Sequence, residues 1–477
     1  MEHNTINDPT PALALPTEIT LHISAYLPYS TLVNISLVCK TWRFGVLPLL
    51  FRSITLTSDE NIAHFSCTIA SDDESTSCHA SQCIRSLSIT SDSTNKLITE
   101  SGLAHLATCV PHLVHLVQLH WCITFVPADR TVLKLFQTSF PQLRSVSLLV
   151  PDGHQFQNEL EESHYAALLG FKNLSEFQLQ IPQISPDIST KAFRPLKQLI
   201  STCPGLEFLQ LYIHSPISHS VLGYTPDDIA IWLGLELPMP SLRRLHLLGS
   251  VHIDERDFVS SPDTGTHHFR DFLSQHMHIE ELYLDGLAWG ASPSAANPEY
   301  LAQALPSLKR FSGPDVLCDL LIRSSVSQRL ECLSVEKCNF KGGLSFAAHR
   351  LPKILSLPAL RELVIETKMY YQVLTILEAI LPEAPGLESL GLVPVPLACH
   401  AMFLGLIGHT PGLRKTSIFN FTSTAIDPVR LSQLAQENSA EHHLYSKMKQ
   451  ACPKLEVAGP WLPSTVPNKR GAGLIFC

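Results

Sequence analysis

A short phrase, apolar-x-x-apolar-x-apolar, recurs along most of the chain, in its best copies with a proline two residues before the first apolar position. It reads PQLRSVSL from Pro141, PGLEFLQL from Pro204, PSLRRLHL from Pro240, PALRELVI from Pro358, PGLESLGL from Pro385 and PGLRKTSI from Pro411. Weaker copies start at Ile84, Leu113, Leu174, Ile279, Leu308 and Leu330, with a last trace at Pro453; the register of the Leu113 copy is ambiguous. Alternation with period two predicts a strand, so Leu209 and Leu211 face inward while Phe208, Gln210 and Tyr212 face out.

Between the phrases the period changes from two to that of a helix. Tyr370 to Leu381, Ala401 to Gly408, His268 to Leu273, Tyr300 to Leu305 and Leu431 to Met448 all carry apolar residues at helical spacing just before the next phrase. Strand, loop, helix and proline turn thus repeat at irregular intervals of about 22 to 37 residues, which predicts a solenoid whose units bury their apolar faces only against neighbours. The phrase resembles a leucine-rich repeat from Ile84 to about Ala458. It departs from that family where an Asn or Cys should follow each strand: only LECLSVEKCNF, ending in Cys338, keeps the position, and Pro182, His214, Ser250, Lys368 or Val395 stands there elsewhere.

Leu15 to Leu56 follows a different pattern. Pro16 suits a first helical position, and Ile19, Ile23 and Leu27 share one helical face. Pro28 ends that helix, Ser30 or Thr31 is placed to cap the next, which carries Leu32, Ile35 and Leu37, and a third turn runs from Val38 to Leu47 around Trp42. About 40 residues bury too little apolar surface to stand alone, so the unit must dock on something larger. In order and spacing Leu15-Pro16, Glu18-Ile19, Ile23, Leu27, Leu32, Val38-Cys39, Trp42-Arg43 and Leu50-Phe51-Arg52 resemble an F-box, the motif that binds the Skp-type adaptor of cullin-RING ubiquitin ligases. The resemblance covers about a tenth of the chain. It implies that Leu15, Pro16, Ile19, Ile23, Leu27, Leu32, Leu37, Val38, Cys39 and Trp42 bind the adaptor. The expected fold class is α/β: a small N-terminal all-α F-box (15–56) followed by a leucine-rich-repeat-like α/β solenoid (57–458) with parallel strands on one face. A disordered lead (1–14), an acidic serine-rich loop (66–82) and a C-terminal tail (459–477) are the expected mobile parts.

Composition narrows the function. The 477 residues are 45% hydrophobic and 16% charged, with a net charge of -9. A mildly acidic chain with no Lys/Arg run longer than two residues offers no basic stripe for nucleic acid. No apolar run reaches the roughly 18 residues of a membrane span, and residues 1–14 lack the pattern of a signal peptide, so a cytoplasmic or nuclear protein without membrane partners is expected. The thirteen cysteines are scattered, odd in number and mostly in apolar segments, as reduced buried thiols would be.

Candidate chemistry is sparse. Phosphate-cradling loops, nucleophile elbows, His-Glu-x-x-His and Cys-x-x-Cys pairs are all missing from the sequence. Cys67, Cys78, His79 and Cys83 fit no zinc-module spacing, and His267-His268 and His442-His443 sit in amphipathic segments, so no metal or other cofactor is expected. The run Asp72-Asp73-Glu74 beside serines reads as a solvated loop, with phosphorylation as the alternative. No enzyme is indicated.

Two functions from different classes fit. In one, the chain is the substrate-recognition subunit of an SCF-type ubiquitin ligase, holding the Skp-type adaptor, and through it a cullin, by the F-box, and an unknown protein target by the repeats. In the other it is a leucine-rich-repeat scaffold without a degradation role. For target capture the outward ladder suggests Phe208, Tyr212, Arg244 and Tyr283, since aromatic and Arg side chains are what binding hot spots favour.

Overall fold

The computed structural model describes residues 16–70, 80–91, 98–123, 125–150, 166–181, 193–213, 224–234, 238–254, 258, 267–289, 297–336, 356–366, 370–392, 395–417 and 440–458. The chain divides into two compact units, residues 1–148 and 149–477.

The first unit opens with three helices, α1 (Thr17–Ser24), α2 (Tyr29–Ser36) and α3 (Lys40–Leu50). Prolines set the breaks: Pro16 and Pro28 are the N-cap residues of α1 and α2, so α1 starts one residue after the expected first position, Pro16, and α2 is capped at Pro28 and not at Ser30 or Thr31. The chain then enters a parallel sheet of β1 (Ser53–Leu56), β2 (Ser86–Thr90), β3 (Gln118–Cys122) and β4 (Ser145–Leu149), paired in chain order. Between the strands lie α4 (Asp59–Ala70), α5 (Ala80–Cys83), α6 (Glu100–Cys109) and α7 (Thr131–Thr138).

Three expectations are corrected here. The sheet starts at Ser53, inside the stretch assigned to the helical unit, because Ile54 and Leu56 continue the inward rows of Leu87 and Ile89. The acidic loop does not begin at Ser66: residues 66–70 are the last turns of α4, held by buried Ile62, Phe65 and Ile69 on one face, and 80–82 belong to α5. The ambiguous phrase near Leu113 resolves as Leu116, Leu119 and Trp121, all buried, with the indole edge-on to Phe136 at 6.1 Å.

The second unit repeats the pattern through ten strands, again parallel and in chain order: β5 (Glu176–Ile181), β6 (Phe208–Ile213), β7 (Arg244–Asp254), β8 (Glu281–Trp289), β9 (Arg310–Pro314), β10 (Cys332–Glu336), β11 (Glu362–Glu366), β12 (Ser389–Leu392), β13 (Lys415–Thr416) and β14 (Val457–Ala458). Its helices are α8 (Arg194–Ser201), α9 (Pro226–Leu233), α10 (His268–Gln275), α11 (Pro298–Ala304), α12 (Asp315–Ile322), α13 (Tyr370–Ile380), α14 (His400–Ile407) and α15 (Ala440–Ala451). The fold is therefore the expected helical segment followed by a parallel α/β solenoid. No helix among the described residues is long and apolar enough to cross a membrane.

Inward rows form its core. Phe177, Leu209, Leu245, Leu282, Phe311, Leu333, Leu363 and Leu390 stand side by side across β5 to β12, all buried. A second buried row comes from the first apolar residue of each phrase, Leu206, Leu242, Ile279, Leu308, Leu330, Leu360 and Leu387 among them. Each such side chain contributes about 1.5–3 kcal/mol, and only when its neighbour is present. Gly249, at φ +100, marks an irregularity between Leu247 and Val251 where β7 shifts register against β8; a Cβ there would stand 2.1 Å from the Ile213 carbonyl oxygen.

Two devices join successive repeats, and neither was read from the sequence. The residue just before each strand donates its N–H to the carbonyl of its counterpart in the preceding repeat: Arg243 to Glu207, Glu280 to Arg243, Lys309 to Glu280, Glu331 to Lys309, Arg361 to Glu331, Glu388 to Arg361, Arg414 to Glu388, Glu456 to Arg414. Their side-chain charges alternate in sign without interruption from Glu207 to Glu456. Ion pairs close at 2.8 Å (Arg243–Glu280), 2.9 Å (Lys309–Glu280) and 3.6 Å (Arg361–Glu388).

The second device caps helices across the repeat boundary. Asp59 of α4 accepts the Thr99 N–H at 2.8 Å at the start of α6, Asp227 of α9 accepts those of His268 and Phe269 at 3.1 and 2.8 Å at the start of α10, and Glu299 of α11 accepts the Ser325 N–H at 2.9 Å.

Of the ten described cysteines, all free, six are buried as expected, but Cys39 and Cys67 are exposed. Burial pushes the Cys122 and Cys452 thiols up to about 11. Among the described residues no cluster of His, Cys, Asp or Glu is arranged to hold a metal ion. Cys78, His79, Asp72, Asp73, Glu74, Cys338, the lead and the tail lie outside the described residues.

Candidate docking surfaces

In the helical unit, α1 packs by its polar face. Thr20 and Ser24 are 3% and 0% exposed, whereas Ile19 and Ile23, one position before each, are 46% and 41% exposed. The cause lies in α3, where Gly45 leaves room for Thr20: a Cβ there would stand 2.9 Å from Thr20 Cγ2. The Thr20 hydroxyl donates back to the Pro16 carbonyl at 3.3 Å, which satisfies it inside, while the Ser24 hydroxyl is buried without a partner. With small polar groups inside, the isoleucines have only solvent before them.

The same inversion continues along the unit. Tyr26, Tyr29 and Val33 project from the end of α1 and from α2; Leu37 and Val38, 70% and 72% exposed, cross the turn to α3; Phe44 follows. Eight of the twelve exposed large apolar side chains found among the described residues belong to residues 19–44. Scattered exposed apolar residues need no explanation, but eight of them concentrated in 26 successive residues mark an interaction surface.

Of the ten residues anticipated for docking, Pro16, Ile19, Ile23, Leu37, Val38 and Cys39 are exposed, and Leu27 and Trp42 are half-buried. Leu32 is a correction: at 6% exposure it is the one buried residue of α2, a core position and not a surface anchor. Leu15 lies outside the described residues. Tyr26, Tyr29, Val33 and Phe44 were missed, although Tyr26 stands seven residues after Ile19, on the same helical stripe.

The outward ladder of the second unit departs further from expectation. Tyr212 and Arg244 are half-buried, as partly accessible ladder members should be, but Phe208 and Tyr283 are 6% and 1% exposed. The Phe208 ring carries the Arg244 guanidinium 4.4 Å from its centroid and meets His246 edge-on at 4.8 Å. Arg244 in turn pairs with Glu176 at 2.8 Å. The Tyr283 hydroxyl donates to the Glu336 carboxylate, to which Ser312 also donates at 2.9 Å.

Phe208 and Tyr283 are thus members of an internal network and are corrected from target-binding to structural residues. Burial and the neighbouring Glu336 raise the Tyr283 phenol far above its ordinary value, keeping it a proton donor. Burial also leads in raising Tyr212, with Asp285 adding to it. His246 Nε2 lies 2.7 Å from Glu281 Oε1, and its Nδ1 is buried with no partner. Burial works to raise Glu281, but the hydrogen bond and attraction of His246, with Arg310 and Arg244 behind it, hold its carboxyl below the ordinary value.

Comparison with known proteins adds one firm point. An F-box-like family model matches residues 12–57. No curated protein matches the chain. Among solved structures, the yeast complex of Rad7 and Elc1 is similar with a TM-score of 0.38 at 14% identity, over 86% of this chain and 91% of that one. The Drosophila Toll–Spatzle complex is similar with a TM-score of 0.28 at 13% identity, over 71% of this chain and 44% of that one. Similarities this low carry no argument, and the weight rests on the inverted packing of α1 and the family match at the same residues: the protein carries an F-box-like domain at residues 12–57, leading into a parallel α/β repeat sheet.

Proposed function

We propose that the protein is a substrate-recognition subunit of an SCF-type ubiquitin ligase. Its helical unit docks on a Skp-type adaptor, and through it on a cullin, while the repeat unit holds a protein target. The observation that carries this reading is α1 turned with Ile19 and Ile23 to solvent and Thr20 and Ser24 to the interior. Full burial of such a side chain contributes about 1.5–3 kcal/mol, so a few of them on one seam suffice for a stable contact. The chain supplies no bond chemistry of its own in this role, and it works where such ligases work, in the cytoplasm or nucleus.

The test is capture of a purified Skp-type adaptor by the full chain, followed by quantitative proteomics of cells with and without the protein. Adaptor capture together with a co-purifying protein whose level rises on deletion supports the receptor role. Capture with no change in any bound protein supports instead a repeat scaffold that engages the adaptor without degradation. Absence of adaptor capture by the intact chain removes the receptor role and leaves a repeat scaffold whose F-box is out of use.

A further inference from the structure

The residue before each strand from β6 to β14 carries alternating charge, but before β5 it is Ser175, and in the first unit the same position holds Arg52, Arg85, Val117 and Arg144. The equivalence is set by the backbone: Arg85 N–H donates to the Arg52 carbonyl, Val117 to Arg85, and Arg144 to Val117. Arg52 and Arg85 therefore stand side by side on adjacent parallel strands, about 4.8 Å apart at the backbone, where like charges destabilise the pair. A chain that alternates sign through nine repeats has an obvious remedy available, and it is not used here.

Neither arginine has an acidic partner among the described residues. Arg52 is exposed. Arg85 is tethered through Nη1 to the carbonyl oxygens of Gln82 and Ile84, at 2.6 and 3.3 Å, which fixes its guanidinium and leaves Nε and Nη2 uncommitted. Asp59, Glu100 and Asp129 are engaged at helix starts, the opposite end of the strands, by Thr99, Ala128 and Thr131. A fixed fork of donors beside a second guanidinium suits carboxylates, and alternate residues of an extended chain present them on one side about 6.6 Å apart, within reach of both.

We propose that the leading edge of β1 and β2, carried by Arg52 and Arg85, docks an acidic segment of the protein target. The proposal rests on the receptor reading for the identity of the partner, not for the chemistry. Because the whole chain carries a net charge of -9, attraction of an acidic peptide has to come from a local feature of this kind.

The experiment uses the full chain and a fluorescent peptide of about five glutamates, read by anisotropy at low and high salt, with adaptor capture and melting temperature measured on the same preparations. The intact chain is expected to bind the peptide, and to release it at high salt. Arg85→Glu, which places a carboxylate beside Arg52, should weaken binding at least tenfold while the melting temperature holds or rises and adaptor capture stays intact. A merely structural arginine would not separate these readouts. Arg361→Gln, removing a paired arginine of the second unit, serves as the control and should leave binding unchanged.

Three results overturn the proposal: no peptide binding by the intact chain, equal binding by Arg85→Glu, or equal loss in Arg361→Gln. A fourth does so as well. If binding appears only after Asp72, Asp73 and Glu74 are changed to their amides, the stripe serves the chain's own acidic run and not a target. Loss of adaptor capture by the intact chain would strike the receptor reading alone.

Discussion

Thr20 and Gly45 meet closely enough that a single added methyl at Gly45 would come within 2.9 Å of Thr20 Cγ2. That contact determines which face α1 shows to solvent. Gly45→Val should force α1 away from α3 at a cost of about 1–3 kcal/mol and disturb the apolar seam with it. Pairing Gly45→Ala with Thr20→Ala removes the obstructing methyl and should restore both stability and adaptor capture. Normal capture by Gly45→Val would mean that the contact does not orient the seam.

Exposed and buried positions of the helical unit should respond oppositely. Ile23→Asp and Val38→Asp are expected to abolish adaptor capture, each by about 2 kcal/mol or more, without lowering the melting temperature, because both side chains face solvent. Leu32→Ala should do the reverse, destabilising the unit by about 2–5 kcal/mol. If Ile23→Asp unfolds the unit, the isoleucine is core and the inverted packing is wrong.

Along the second unit the charge ladder predicts a sign-dependent response. Glu280 sits between Arg243 and Lys309, and its hydrogen bond to Lys309, then the charges of both cations, hold its carboxyl below the ordinary value. A depressed value in the folded state means that its contribution is present above the ordinary carboxylate range and is lost as pH falls through the folded value. Glu280→Lys puts three cations in succession and should cost about 1 kcal/mol, reduced by salt. The Glu280→Gln chain should have a shallower loss of stability in acid than the intact chain; identical acid titrations by circular dichroism would exclude the carboxylate as a contributor.

Leu363 is fully buried in the middle of the inward row, and Tyr283 holds the outward network. Leu363→Asp buries an unpaired charge and should cost more than about 4 kcal/mol, unfolding neighbouring repeats together. Tyr283→Phe keeps the ring and removes one donor to the buried Glu336 carboxylate, at about 1–3 kcal/mol. A lower denaturant midpoint with an unchanged slope is expected for Tyr283→Phe, whereas Leu363→Asp should lower the slope too, because repeats already unfolded expose no further surface.

Much of this architecture was legible because a strand buried on one face writes its period into the sequence: each of the thirteen phrases lies on one of the strands β2 to β14. The strand β1 was hidden because Ile54 and Leu56 carry no leading proline and follow directly on a helix. The fate of the outward side chains was less legible. Alternation says that Phe208 and Tyr283 leave the inner row, but not that an arginine, a histidine and a carboxylate close over them, since those partners come from strands 36 to 53 residues away in the chain. In the helical unit the spacing of Ile19 and Ile23 was read correctly as one face. That the face is outward depends on Gly45, whose missing side chain has no hydrophobic signal to read.

Capping across the repeat boundary gives the solenoid a direction. The carboxylate always belongs to the earlier repeat and the exposed amides to the later one, as with Asp59 and Thr99, Asp227 and His268, or Glu299 and Ser325. Peeling repeats away from the N-terminal side therefore strips each successor of its cap and loosens the next helix before it is reached, whereas peeling from the C-terminal side leaves behind only a carboxylate that water can solvate. Pulled from its two ends in turn, the protein should unravel at lower force from the first, and truncations should be better tolerated from the last.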